Sequence, residues 1–147
     1  DGELRTARSG NRWLTVAAVR IHVIRVRWKL TSDRSFSQKL HVNARTVAKL
    51  NRFHQDSTLR FETVMGIFRT LLLIIPSQEW SDSRNKEEYR LILDDMLAVI
   101  NARIPIPKGV SADLAEAIDR ELIFQESDVM WAGAGKPSLQ LPPAGSR

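Results

Sequence analysis

Cysteine is absent from the chain, which removes disulfides, thiolate metal ligands and cysteine nucleophiles together. The absence fits a reducing compartment. Long apolar runs are lacking too. The longest, Leu71 to Pro76, falls far short of the about 20 residues that a membrane-spanning helix needs. Residues 1–12 are polar and basic, with no apolar region behind them of the signal-peptide kind. From these absences we expect no membrane partner and a cytoplasmic or nucleoid-associated protein.

Metal and catalytic patterns are missing as well. The three histidines, His22, His41 and His54, match no ligand spacing, so no metal is expected. Asp94 and Asp95 are adjacent, and on a helix they point about 100° apart, which reads as a solvated face rather than a paired acid and base. Gly133 to Lys136 has the look of a phosphate loop, but Met130 stands where its first Gly belongs and Pro137 where its Ser/Thr belongs. No Ser/His/Asp arrangement stands out. The expectation is no active site, no cofactor and no enzyme activity.

The chain is 147 residues long and 43% hydrophobic, enough for one domain with a real core and an appended helical piece. Its net charge of +5 is unevenly spread. Residues 1–60 hold 13 Lys/Arg against 4 Asp/Glu, or +9, and residues 61–147 hold 9 against 13, or −4. A basic half of this kind is the footprint expected of a phosphate-backbone binder.

Periodicity predicts a mainly α chain. Residues 1–12 read as a flexible basic arm. Val16, Val19, Val23, Val26 and Leu30 form one helical stripe, although the β-branched run RIHVIRVRW also partly alternates as a strand does. Ser32 caps a short helix to Lys39, and Asn43 caps another over Ala44–Phe53. His54 to Ser57 is a polar turn. Thr58 caps a helix carrying Phe61, Val64, Phe68 and Leu71. Leu71 to Ile75 reads either as the end of that helix or as a short strand, stopped by Pro76. Gln78 to Arg84 is a linker, and Asn85 with Glu88 resembles a capping box. Tyr89, Leu93, Met96 and Ile100 follow as an apolar stripe. After breakers at Pro105, Pro107 and Gly109, Ser111 caps a last helix to about Phe124, carrying Leu114, Ile118 and Leu122, with Glu116 and Arg120 paired at i, i+4. Residues 132–147, rich in Gly, Pro, Ala and Ser, read as a disordered tail. Trp28, one turn from Ile24, reads as core rather than as a base-stacking residue. The expected division is an arm (1–12), a DNA-binding domain (13–76), an acidic helical region (77–131) and the tail.

Asp33 to Arg52, DRSFSQKLHVNARTVAKLNR, carries the functional signal. Counted from Asp33, apolar residues fall at the fourth (Phe36), eighth (Leu40), tenth (Val42), fifteenth (Val47) and eighteenth (Leu50) positions, with the small Ser37 at the fifth. That is the spacing of two helices crossing at a sharp turn, a helix-turn-helix. LHVNARTV resembles the turn and recognition-helix start of the Cro/repressor-like (Xre-type) regulators, usually L-G-V-S-x-x-T-V. VRIHVIRVRWKLT resembles their first helix, and DSTLRFETVMGIFRTL a following one, so the resemblance covers about residues 16–75. The chain departs from the pattern at the turn Gly, here His41, which needs a left-handed backbone without glycine's freedom. It departs again at Asp33, where Gln is usual, and at Asn51-Arg52-Phe53.

The resemblance implies a five-helix repressor-like bundle, here followed by two more helices. It implies a transcriptional regulator of phage, plasmid or antitoxin type that binds double-stranded DNA as a homodimer. In that reading Asn43, Ala44, Arg45, Thr46, Ala48, Lys49, Arg52 and Arg34 face the DNA. Leu71 to Ile75 and the stripe Tyr89, Leu93, Met96 and Ile100 are the candidate dimer contacts. Two other readings stand beside it: a protein-interaction module acting through residues 85–124, and the DNA-binding end of a recombinase or transposase.

Overall fold

The computed structural model describes the backbone of residues 2–53 and 58–123, with side chains from Arg12 onward within those segments. The polar turn 54–57 and the tail 132–147 lie outside the described residues. Among the described residues the protein is all-α. Six helices follow in order: α1 (Gly2–Arg27), α2 (Asp33–Leu40), α3 (Ala44–Asn51), α4 (Phe61–Ile74), α5 (Asp82–Ala102) and α6 (Ala112–Ile123). Among the described residues four helices, not five, precede residue 76. None is long and apolar enough to cross a membrane.

Helix α1 is the central element. Its backbone runs on from Gly2 through the stretch read as an arm. From Leu14 to Arg25 nearly every side chain is buried, with His22 an exposed exception. A helix buried on most sides carries apolar residues all round, which blurs its period and explains the rival strand pattern in RIHVIRVRW. The helix ends in a left-handed residue, Lys29 (φ 62°), with the Leu30 amide bonded back to the Arg25 carbonyl at 2.7 Å.

The strand reading of Leu71–Ile75 is overturned. Helix α4 continues to Ile74, and a 3₁₀ turn over Ile75–Gln78 takes in Pro76. Val64, Phe68, Leu71 and Ile75 keep one helical face in the core, and among the described residues there is no strand for it to pair with. Two caps also move. Helix α4 starts after Arg60 with no side-chain cap, so Thr58 does not cap it. Helix α5 starts at Asp82, where the Ser81 hydroxyl accepts from the Arg84 amide at 3.1 Å, so Asn85 lies inside the helix. Ser111 does cap α6, accepting from the Leu114 amide at 3.1 Å.

Helix α5 packs on α1, α4 and α6. Its buried face is Glu88, Leu91, Ile92, Asp95, Ala98, Val99 and Ala102. Of the stripe read as a candidate dimer contact, Tyr89, Leu93 and Ile100 point to solvent, while Met96 packs against the core. One core runs unbroken across residue 76, joining Leu14, Ile21 and Ile24 to Phe36, Val47, Phe68, Ile92 and Val99.

Arginines of α1 bind this core to the acidic half. Arg12 Nε lies 2.8 Å from Asp119, Arg20 Nη1 2.9 Å from Asp95, and Arg27 Nη2 2.9 Å from Glu88. Glu88 also accepts from Trp28 Nε1 at 2.9 Å. Trp28 is buried and meets Trp80 edge to face, as a core residue does. Asp95 is therefore not part of a solvated face; only Asp94 is, paired with Arg90 on the helix surface.

Candidate nucleic-acid interface

Helices α2 and α3 form a tight pair because their sequences stop and start cleanly. Ser32 Oγ accepts from the Ser35 amide at 3.0 Å and opens α2. His41 closes it in the left-handed region, at φ 56° and ψ 42°, as the missing turn glycine requires. The Val42 amide then bonds to the Ser37 carbonyl at 3.0 Å, and the Ser37 hydroxyl donates to the Val42 carbonyl. Asn43 Oδ1 accepts from the Arg45 amide at 2.7 Å and opens α3. Phe36, Leu40, Val47 and Leu50 are all buried, and Val42 packs against them.

With Val47 and Leu50 inward, helical geometry sets Arg45, Lys49 and Arg52 on the opposite side, at steps of four and three. Arg45 and Arg52 are exposed and Lys49 is half-buried, as a long side chain with its head in water would be. Ala44 and Asn43 are exposed, and Thr46 and Ala48 are half-buried. Arg34 is exposed in the first turn of α2, at the end of the pair occupied by Arg52, because Asp33 bonds to Asn51. Lys39, not among the residues expected to face DNA, is exposed in the last turn of α2.

A network also missed by sequence reasoning fixes this pair against α1. Buried Arg25 donates Nη2 to Asp33 at 3.0 Å and to the Thr31 carbonyl at 2.8 Å, donates Nε to the Leu30 carbonyl at 2.9 Å, and lies over the Phe36 ring. Asn51 Nδ2 donates to both Asp33 oxygens, at 3.0 and 2.9 Å. The end of α1, the start of α2 and the end of α3 thus share one carboxylate. These bonds, from Asn51 first and then Arg25, hold the Asp33 carboxyl below its ordinary range. A lowered folded-state pKa stabilises above the unfolded value, and that contribution is lost as pH falls through the folded one. The urea midpoint of the wild type should therefore drop below about pH 4, and less steeply in Asp33→Asn. Superimposable pH profiles would remove Asp33 from the linkage.

The cations of α1 and those of the α2–α3 pair differ. Arg12, Arg20, Arg25 and Arg27 of α1 are engaged by carboxylates. Arg34, Lys39, Arg45, Lys49 and Arg52 have no ion-pair partner among the described residues. Much of the basic excess counted along the sequence is thus neutralised inside the fold, and what remains free includes this set on α2 and α3.

No protein-family model, curated protein or solved structure matches the chain. Among the described residues, no group of three or more His, Asp or Glu is placed to hold a metal. The only acidic side chain on α2 and α3, Asp33, is already bonded to Arg25 and Asn51. The surface they present is cationic, with short side chains at Ala44 and Ala48 beside Arg45.

Proposed function

We propose that the protein binds double-stranded DNA sequence-specifically through α3, as a transcriptional regulator of helix-turn-helix type, and does so as a dimer. The observation that carries this reading is the contrast between the two sets of arginines. Helix α1 pairs its arginines with carboxylates inside the fold. Helices α2 and α3 instead leave five charged groups directed at solvent around a rigid turn. The resemblance of LHVNARTV to repressor-type recognition helices supports the same assignment.

The residues then take distinct roles. Arg45 lies in the first turn of α3, where a guanidinium bonds a guanine edge in two places. Ala44 and Ala48 let the helix approach the base pairs or touch a thymine methyl. Asn43 spends its oxygen on the cap, and its amide nitrogen remains for a backbone oxygen. Thr46 borders the contact, and Arg34, Lys39, Lys49 and Arg52 reach phosphates.

Arg45→Ala should cost about 1–3 kcal/mol on the preferred site and relax one base pair, whereas Lys49→Ala should weaken all sequences about equally. Selection of bound sequences from a random duplex pool, run on wild type and both variants, reads this out. Identical motifs and affinities for wild type and Arg45→Ala would place recognition elsewhere.

A further inference from the structure

Helix α3 is eight residues long, under the about 12–15 that hold a helix together on its own. Its placement therefore comes from what it rests on, and it packs substantially only on α2. Val47 and Leu50 are its buried residues, and they decide which side turns inward. An inward face set by two side chains fixes the roll of a short helix better than its tilt. A third, polar point of attachment lies at the far end. Asn51 is the last residue of α3, and its Nδ2 donates to both Asp33 oxygens, at 3.0 and 2.9 Å. Its Oδ1 accepts from Arg25 Nη1 at 3.3 Å. Arg25 is itself held fast, buried near the end of α1 with Nε on the Leu30 carbonyl and Nη2 on the Thr31 carbonyl. One amide thus ties the end of α3 to the start of α2 and to α1 together.

Given the DNA-binding reading above, we infer that Asn51 is a positioning residue, which sets the tilt of α3 against the bases without touching DNA. At 100° per residue, Arg45, Lys49 and Arg52 fall within about 60° of one another round the helix, whereas Asn51 lies about 120° from Arg45. It is therefore off the cationic face, and its effect on binding passes through the placement of α3. Asn51 and Arg45 are six residues apart, or about 9 Å along the axis. A contact is lost once a side chain strays by about 0.5 Å or 10–20° from its productive place. A swing of about 20° anchored at one end of such a lever moves the other end by roughly 3 Å, well past that limit.

Exchanging the two side chains tests this role. The probes are the duplex recovered by selection on wild type and a random-sequence duplex of the same length. The readout is the ratio of the two affinities, in which the phosphate attraction common to both cancels. Asn51→Asp sets a second carboxylate against Asp33 in place of a donor, and should lower the ratio roughly tenfold, about the worth of one base pair read. Asn51→Ser, which removes the bonds without adding charge, should lower it as well. Asp33→Asn combined with Asn51→Asp again sets an amide donor against a carboxylate, keeps the wild-type net charge and leaves Arg25 an acid to pair with. In that double variant the ratio should return to the wild-type value. Both positions are exposed, so the core is spared, and helical circular dichroism at the assay temperature should match wild type in all three. A bond that served stability alone would shift the unfolding midpoint and leave the ratio of the folded protein unchanged. A wild-type ratio in Asn51→Asp, or no recovery in the double variant, overturns the positioning role and leaves DNA binding by α3 standing. A wild type with no preferred duplex overturns both.

Discussion

Replacing Asp95 by alanine should lower folding stability by about 3–5 kcal/mol, while the same change at its neighbour Asp94 should leave the unfolding midpoint unchanged. The two carboxylates are adjacent in sequence and opposite in environment. The Asp95 side chain is 2% exposed and that of its partner Arg20 5%, with Nη1 2.9 Å from Oδ1. Arg20 also donates Nε to the Leu122 carbonyl at 2.6 Å and Nη2 to the Glu121 carbonyl at 3.2 Å, fastening the end of α6 to α1. Removing the Asp95 carboxylate strands a buried guanidinium whose charge no carbonyl neutralises. Against a total stability of about 5–15 kcal/mol for a domain of this kind, such a loss is large. Asp94, 52% exposed and 3.2 Å from Arg90, belongs to a solvent-screened pair. Urea denaturation of both variants provides the comparison, with the midpoint of Asp95→Ala falling at constant slope. Equal midpoints for the two variants would contradict the burial of the Arg20–Asp95 pair.

The α2–α3 pair was the most legible part of the chain. Its apolar positions Phe36, Leu40, Val47 and Leu50 recur at helical spacing, and Ser32 and Asn43 cap where caps were expected. Even the left-handed His41 followed from a missing glycine. Elsewhere local pattern was insufficient. LLLII has no period of its own, and only packing against the core decides that it stays helical. On α5 the large outward side chains Tyr89, Leu93 and Ile100 outweighed an inward face built partly of alanine and of two paired carboxylates. Residues that face inward as ion pairs carry no apolar signature. Arg20 and Asp95 lie 75 positions apart, and nothing local in the sequence announces that they meet. The same blindness affected the charge count. Arg12, Arg20 and Arg27 were read as part of a basic surface, but each lies against an acid of the other half. The candidate site was legible in α3, where the buried Val47 and Leu50 determine which neighbours turn outward. It was incomplete at Lys39 and at the Arg25–Asp33–Asn51 junction, which only the folded arrangement assembles.

The affinity of the full chain for duplex DNA should fall steeply with salt. If Arg34, Lys39, Lys49 and Arg52 each displace one condensed counterion while Arg45 reads a base, four are released per copy. The slope of log K against log[salt] is then roughly −3.6, or about a 150-fold loss of affinity between 50 and 200 mM salt, equivalent to about 3 kcal/mol. A bound dimer doubles the slope. Each phosphate-contacting cation replaced by alanine should make the slope shallower by about 1 per copy. Fluorescence anisotropy of a labelled duplex, titrated at several salt concentrations with wild type and Lys49→Ala, is the most direct test that α2 and α3 form a DNA-binding surface. The expected result is a steep wild-type line and a shallower one for Lys49→Ala. A flat line, or parallel lines for the two proteins, would contradict it.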